Sequence, residues 1–308
     1  MLPFRFAVQV SNASSGPAWR VLARKTEELG YSTLFMPDHL GEQWAPLVAL
    51  TVAAEATTSL RVGTLVLDND FRHPVMLAKE AATLDLLSEG RLELGLGAGW
   101  MRDDYDQSGI TYDDPASRVA RLAEAVDVIT DLWGEGRSDR AGQHYTVAAA
   151  GFPRPHRTGG PRLLIGGGSR RVLGLAARRA DIVGVNPRLT EGFYGPEAIA
   201  SAAPEYYDER VAWVRDAAGD RFADIEMQSL TFIVQVTPNG PALIEEMAAG
   251  FGLTPAQAAD TPAALVGSVD ELVDTLERRR QRWSMNYWVV HENDMDAFAP
   301  VVARLAGH

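Results

Sequence analysis

Strand-like and helix-like patterns alternate from one end of this chain to the other, and that alternation limits the fold more than any other feature. Eight short runs read as strands: Arg5 to Val10, Thr33 to Pro37, Leu60 to Leu67, Arg91 to Gly97, Arg162 to Gly168, Asp181 to Val185, Ile225 to Thr237 and Asn286 to His291. Between them, apolar residues recur at helical spacing. Gly30 and Gly90 follow two of these helices and Pro74 begins the second of them, the usual stop and start signals. Strands that alternate with helices imply a parallel sheet. A count of eight favours closure into an α/β fold of the (β/α)₈ TIM barrel type, with a doubly wound open sheet as the alternative. The rhythm breaks in polar, Gly/Pro-rich stretches near 134–161 and 186–203, which read as insertions. No linker shows a change of composition, so the expectation is a single domain over 1–308.

The chain has 308 residues, of which 46% are hydrophobic and 23% charged, with a formal charge of −12. So acidic a surface repels phosphodiester backbones and anionic lipid, which disfavours nucleic acid and membrane surfaces as partners. No apolar run approaches the roughly 18 residues of a membrane span. The N-terminal "MLPFRFAVQV" lacks the apolar core and cleavage site of a signal peptide, so the expected location is cytoplasmic. Without cysteine there is no thiol nucleophile, disulfide or thiolate metal site.

The second strand ends abruptly in "MPDHLGEQW", placing Asp38, His39, Glu42 and Trp44 just past an apolar run. In a barrel, strand C-termini form the active-site rim, so Asp38 and His39 would face a pocket. The plainer alternative is that Asp38 caps the next helix and His39 is a satisfied rim residue. Glycines in "LELGLGAGW" and "IGGGSRR" miss the G-x-G-x-x-G spacing of a dinucleotide fingerprint, and neither is a P-loop. Gly166, Gly167 and Gly168 nonetheless let backbone approach a ligand, and Ser169 with Arg170 opens a helix whose N-terminus suits a phosphate. The six histidines are scattered and "HEND" is not H-E-x-x-H, so no metal site is expected. There is no G-x-S-x-G elbow for a serine hydrolase.

The blocks "AATLDLLSEGRLELGLGAGWMRDDYDQSGI", "RVARLAEAVDVITDLW" and "LLIGGGSRRVLGLAARRADIVGV" resemble the luciferase-like oxidoreductases along nearly the whole chain. "MPDHL" and the glycine segments are most similar to the branch that uses the deazaflavin coenzyme F420, with FMN the alternative cofactor. The resemblance implies catalysis by His39, supported by Asp38 and Trp44, next to a ring held in the barrel mouth. It implies that Leu65 and Val66 back the ring from a bulge with a non-proline cis peptide. Ala98, Gly99 and Trp100 would contact ring and tail, and Gly166 to Ser169 would hold the phosphate. A small-molecule substrate and a homodimer are also implied. Where the family's deazaflavin sugar dehydrogenases carry a catalytic Glu, this chain has Trp100, which cannot exchange a proton. Reduction of a C=C, C=N or C=O bond therefore fits better than sugar-phosphate oxidation, with Asp103 and Asp104 the nearest candidate carboxylates. An oxygen-activating monooxygenase and a non-catalytic flavin binder are the rivals. Phe152, His156, Phe193 and Tyr194 in the insertions are candidates to cover the mouth.

Overall fold

The structure is a computed structural model that describes all residues except 190, 191 and 194. Eight parallel strands close on themselves: β1 (Arg5–Gln9), β2 (Thr33–Met36), β3 (Arg61–Thr64), β4 (Leu92–Gly97), β5 (Arg162–Gly167), β6 (Ile182–Val185), β7 (Glu226–Leu230) and β8 (Met285–His291). Each pairs with the next, and β1 against β8 completes the ring. Closure excludes the doubly wound alternative. The principal outer helices are α1 (Gly16–Glu28), α2 (Pro46–Ala56), α3 (Pro74–Leu87), α4 (Pro115–Gly134), α5 (Arg170–Arg179), α6 (Pro204–Ala218), α7 (Val269–Trp283) and α8 (Met295–Leu305). Among the described residues, no helix is long and apolar enough to cross a membrane.

Strand pleat sorts the side chains into two cores. On β1, Phe6 and Val8 join the outer core beneath the helices, as does Val10 just past it, while Ala7 joins the inner cluster of Phe35, Leu164, Ile182 and Val289. Below that cluster the barrel is plugged by polar groups that satisfy one another. Arg5 Nη2 donates to Glu93 at 2.6 Å and its Nη1 to Glu226 at 2.7 Å, and the Tyr287 hydroxyl donates to Glu93 at 2.8 Å. The surrounding arginines, Arg5 foremost, hold the Glu93 carboxyl below its ordinary range despite complete burial. This closes the N-terminal end and leaves the C-terminal end to form a cavity.

Two strands are shorter than the periodicity suggests. The third stops at Thr64, and the chain resumes pairing only at Leu67–Asp68, against Leu96 and Gly97 of β4. Between them the Leu65–Val66 peptide bond is cis. The seventh stops at Leu230. Ile233–Val236 leaves the barrel and pairs in parallel with Ala264–Gly267, flanking helices Gly240–Phe251 and Pro255–Asp260. The insertion at 134–161 contains an antiparallel hairpin, Arg137–Ala141 with Thr146–Ala150, and that at 186–203 contains the short helix Pro196–Ala200.

Candidate active site

A cavity of about 440 Å³ opens at the C-terminal ends of the strands, within the size range of small-ligand sites. One wall is stripped of side chains. A Cβ at Gly97 would lie 2.7 Å from Val66 Cγ2, and one at Gly166 would lie 3.3 Å from Asn186 Nδ2. Gln9 Nε2 donates to the Leu65 carbonyl at 2.9 Å and so ties the bulge to β1. Leu65, Val66, Ala98, Gly99, Trp100 and the loop Gly166 to Ser169 all line the cavity. A flat ring laid over the face that Val66 and the glycines form together, with an anion at the α5 N-terminus, fits these residues.

His39 lines the same cavity. Its Nδ1 lies 2.7 Å from Asp104 Oδ2, and the other oxygen of that carboxylate accepts the Leu40 N–H at 3.1 Å. The imidazole meets the Trp100 ring edge to face, centroids 5.5 Å apart at 88°. With Nδ1 engaged, Nε2 is the nitrogen left for the cavity.

Asp38 does not orient His39. Both Arg72 terminal nitrogens bind its carboxylate, Nη2 at 2.9 Å, and it also accepts the Asp68 N–H at 3.1 Å. Consecutive residues on extended chain point apart, so the neighbour in sequence is not the neighbour in space. Of the two later carboxylates, Asp104 is buried against His39 and Asp103 is exposed. Trp44 is also displaced from its expected position. It stacks at a tilt on Trp19, centroids 5.7 Å apart, between α1 and α2 and outside the cavity. The mouth residues need a similar correction. Phe152 packs on the outer core, while His156 and Phe193 are exposed, and none of them lines the cavity. Tyr194 lies outside the described residues. The 186–203 segment instead contributes Asn186, Pro187, Arg188 and Leu189.

Several cavity residues escaped the sequence reading. Asp68 is nearly buried, and burial, reinforced by Asp70 and Asp38, raises its carboxyl to about 6 against the hydrogen bonds that oppose the shift. Arg118 holds the Ala98 carbonyl at 3.3 Å and also the Gly99 carbonyl, with its guanidinium over Tyr112 at 4.2 Å. His291 closes β8 beside Phe232, and burial lowers its pKa. His291 and Asp68 carried the same signal as His39, a titratable group at the end of a strand-like run, whereas Arg118 had none. Among the described residues, no three His, Asp or Glu side chains gather as a metal site.

Fold and site together define a closed parallel barrel with a cavity of small-ligand size at its C-terminal end and an imidazole anchored at the rim. The luciferase-like monooxygenase profile matches residues 1–239, and the chain belongs to that family. It is 29% identical over 300 residues to the F420-dependent glucose-6-phosphate dehydrogenase of Kribbella flavida, covering 92% of this chain and 84% of that one. It is 30% identical over 287 residues to the 4-hydroxyprotoasukamycin monooxygenase of Streptomyces nodosus subsp. asukaensis, covering 84% and 76%. In fold it resembles the coenzyme F420-dependent tetrahydromethanopterin reductase of Methanopyrus kandleri, with TM-score 0.78, 17% identity, and 98% and 99% of the two chains covered.

Proposed function

We propose that this protein is a cytoplasmic oxidoreductase that moves a hydride between a deazaflavin of the F420 type and a small organic substrate. The observation that carries this reading is the His39–Asp104 pair set against a side-chain-free wall in one cavity. The relationship to an F420-dependent dehydrogenase supports the choice of cofactor. When bound, the deazaflavin supplies or accepts the hydride. Leu65 and Val66 would back the ring, the glycines would admit it, and Gly166 to Ser169 would receive its phosphate. Asp104 would fix the tautomer in which Nδ1 carries the proton and hold the ring in place. His39 Nε2 would give or take the accompanying proton at the substrate.

The second reading, an FMN-dependent monooxygenase, is favoured by the relationship to 4-hydroxyprotoasukamycin monooxygenase. Titration with each cofactor, combined with oxygen uptake, separates the two. We expect tighter binding of F420 and no oxygen consumption. His39→Ala should lower turnover by roughly 10²–10⁴-fold while changing cofactor affinity far less. Tighter FMN binding with oxygen consumed in step with product would establish the monooxygenase. A His39→Ala enzyme with near-normal turnover would remove His39 from the chemistry.

A further inference from the structure

Behind the loop that follows β5 lies a positive charge that has no counter-charge among the described residues. Arg210 on α6 is 1% exposed. Its Nε donates to the Gly168 carbonyl at 3.1 Å and Nη1 to the Ser201 carbonyl at 3.3 Å, while Nη2 is buried with no hydrogen-bond partner among the described residues. Among the described residues no carboxylate lies within ion-pair distance. Tyr206 offers its ring face at 4.9 Å, and Glu209 acts only through space. Arg188, which lines the cavity, adds a second cation to the neighbourhood. A guanidinium stays charged in almost any protein setting, and burying one without a counter-ion is costly. Arg5, by contrast, is matched by Glu93 and Glu226. Arg279 is also buried with nitrogens unsatisfied among the described residues, but Asp260 offsets it. Its bond goes to the Ala259 carbonyl, away from the cavity, whereas Arg210, itself behind the wall, bonds the cavity-lining Gly168.

What adjoins Arg210 is the glycine loop. The bond from Nε turns the Gly168 carbonyl back toward α6. A Cβ at Gly168 would lie 2.6 Å from the carbonyl oxygens of both Asn186 and Pro187, so the loop is locked against the next strand's exit. Ser169 caps α5, accepting the Val172 N–H at 3.4 Å, and the loop residues line the cavity. The helix N-terminus and the buried cation thus act on the same spot.

We propose that Arg210 is the charge that makes the Gly166–Ser169 loop an anion site, and that a phosphate on the cavity ligand is its counter-ion. This rests on the phosphate reading of the loop, but not on which ring the ligand carries. The test compares ligands that differ only beyond the ring and its sugar alcohol: FMN against riboflavin, and F420 against its phosphate-free ring-and-ribityl precursor. Dissociation constants are read by fluorescence for wild type and Arg210→Met. Wild type should prefer the phosphorylated member of a pair by about 10-fold or more, as a charge-assisted contact allows. Arg210→Met should lose most of that preference, while its affinity for the phosphate-free member stays within about twofold. Ligand-free melting temperatures show whether the variant folds. Arg210→Gln, which keeps a donor for Gly168 without the charge, gives the same readout if the Met variant does not fold. Inorganic pyrophosphate should also raise the melting temperature of wild type. An unchanged preference in a folded variant, or a wild type indifferent to phosphate, overturns the proposal. Failure of either phosphate-free ring to bind counts against the ring site instead, and leaves pyrophosphate protection to decide the anion site.

Discussion

At the end of β2, two adjacent residues serve different partners: Asp38 holds Arg72, and His39 is held by Asp104. The rim position of both was legible, because a charge that ends an apolar strand has few other places to go. The pairing was not, since Asp104 lies 65 positions away on a separate short helix. Asp68 shows the same limit, and its environment makes a measurable demand. Burial raises its carboxyl from 3.8 to about 6, so the folded protein binds that proton more readily than the unfolded chain. The associated stability is fully present below pH 3.8 and is lost as pH rises through about 6. Asp68→Asn removes the ionisation and keeps an acceptor for the Asp70 N–H, which Asp68 now takes at 2.9 Å. We expect the variant to gain on wild type by up to roughly 2–3 kcal/mol at pH 8, with the gap closing near pH 4. Denaturant unfolding across that range checks it, and a gap that does not vary with pH would show that Asp68 ionises normally.

Periodicity marks where a strand runs, but not where backbone geometry ends it. Leu60 to Leu67 reads as one continuous strand, yet the ladder breaks at Leu65, where Gly95 and Gly97 on β4 leave room for the displaced chain. Ile225 to Thr237 likewise reads as one strand, although its second half pairs with Ala264–Gly267 outside the barrel. Trp44 follows the same logic. The family resemblance put it in the pocket, but the chain turns toward α2 and seats the indole on Trp19, which is itself fixed by a 2.8 Å bond from Nε1 to the Ala49 carbonyl. Trp44→Ala should therefore cost about 1–3 kcal/mol of stability through lost packing and leave cofactor affinity within about twofold. A large loss of affinity at unchanged stability would return Trp44 to the site.

The closed barrel follows from the count of alternations, since eight strand–helix units have a low-cost way to bury both faces of a parallel sheet. Assembly lies a level above any pattern along the chain and must be read from the surface. Adjacent helices α2 and α3 leave large apolar side chains in solvent, with Val48 71% exposed, Met76 53% and Leu87 54%. A shallow apolar groove beside them is lined by Trp19, Trp44, Val48 and Val52. Apolar side chains exposed together on adjacent helices suit an association site, and a patch that meets its own copy closes as a two-fold dimer. We therefore propose a homodimer through α2 and α3, and expect twice the chain mass by light scattering at micromolar concentration. Val48→Asp with Leu87→Glu should give a folded monomer, because both positions are exposed within the chain. The cavity opens at the strand C-termini, so the monomeric variant should still bind cofactor. A wild type that is already monomeric at tens of micromolar, or a dimer indifferent to both substitutions, would place the interface elsewhere or remove it.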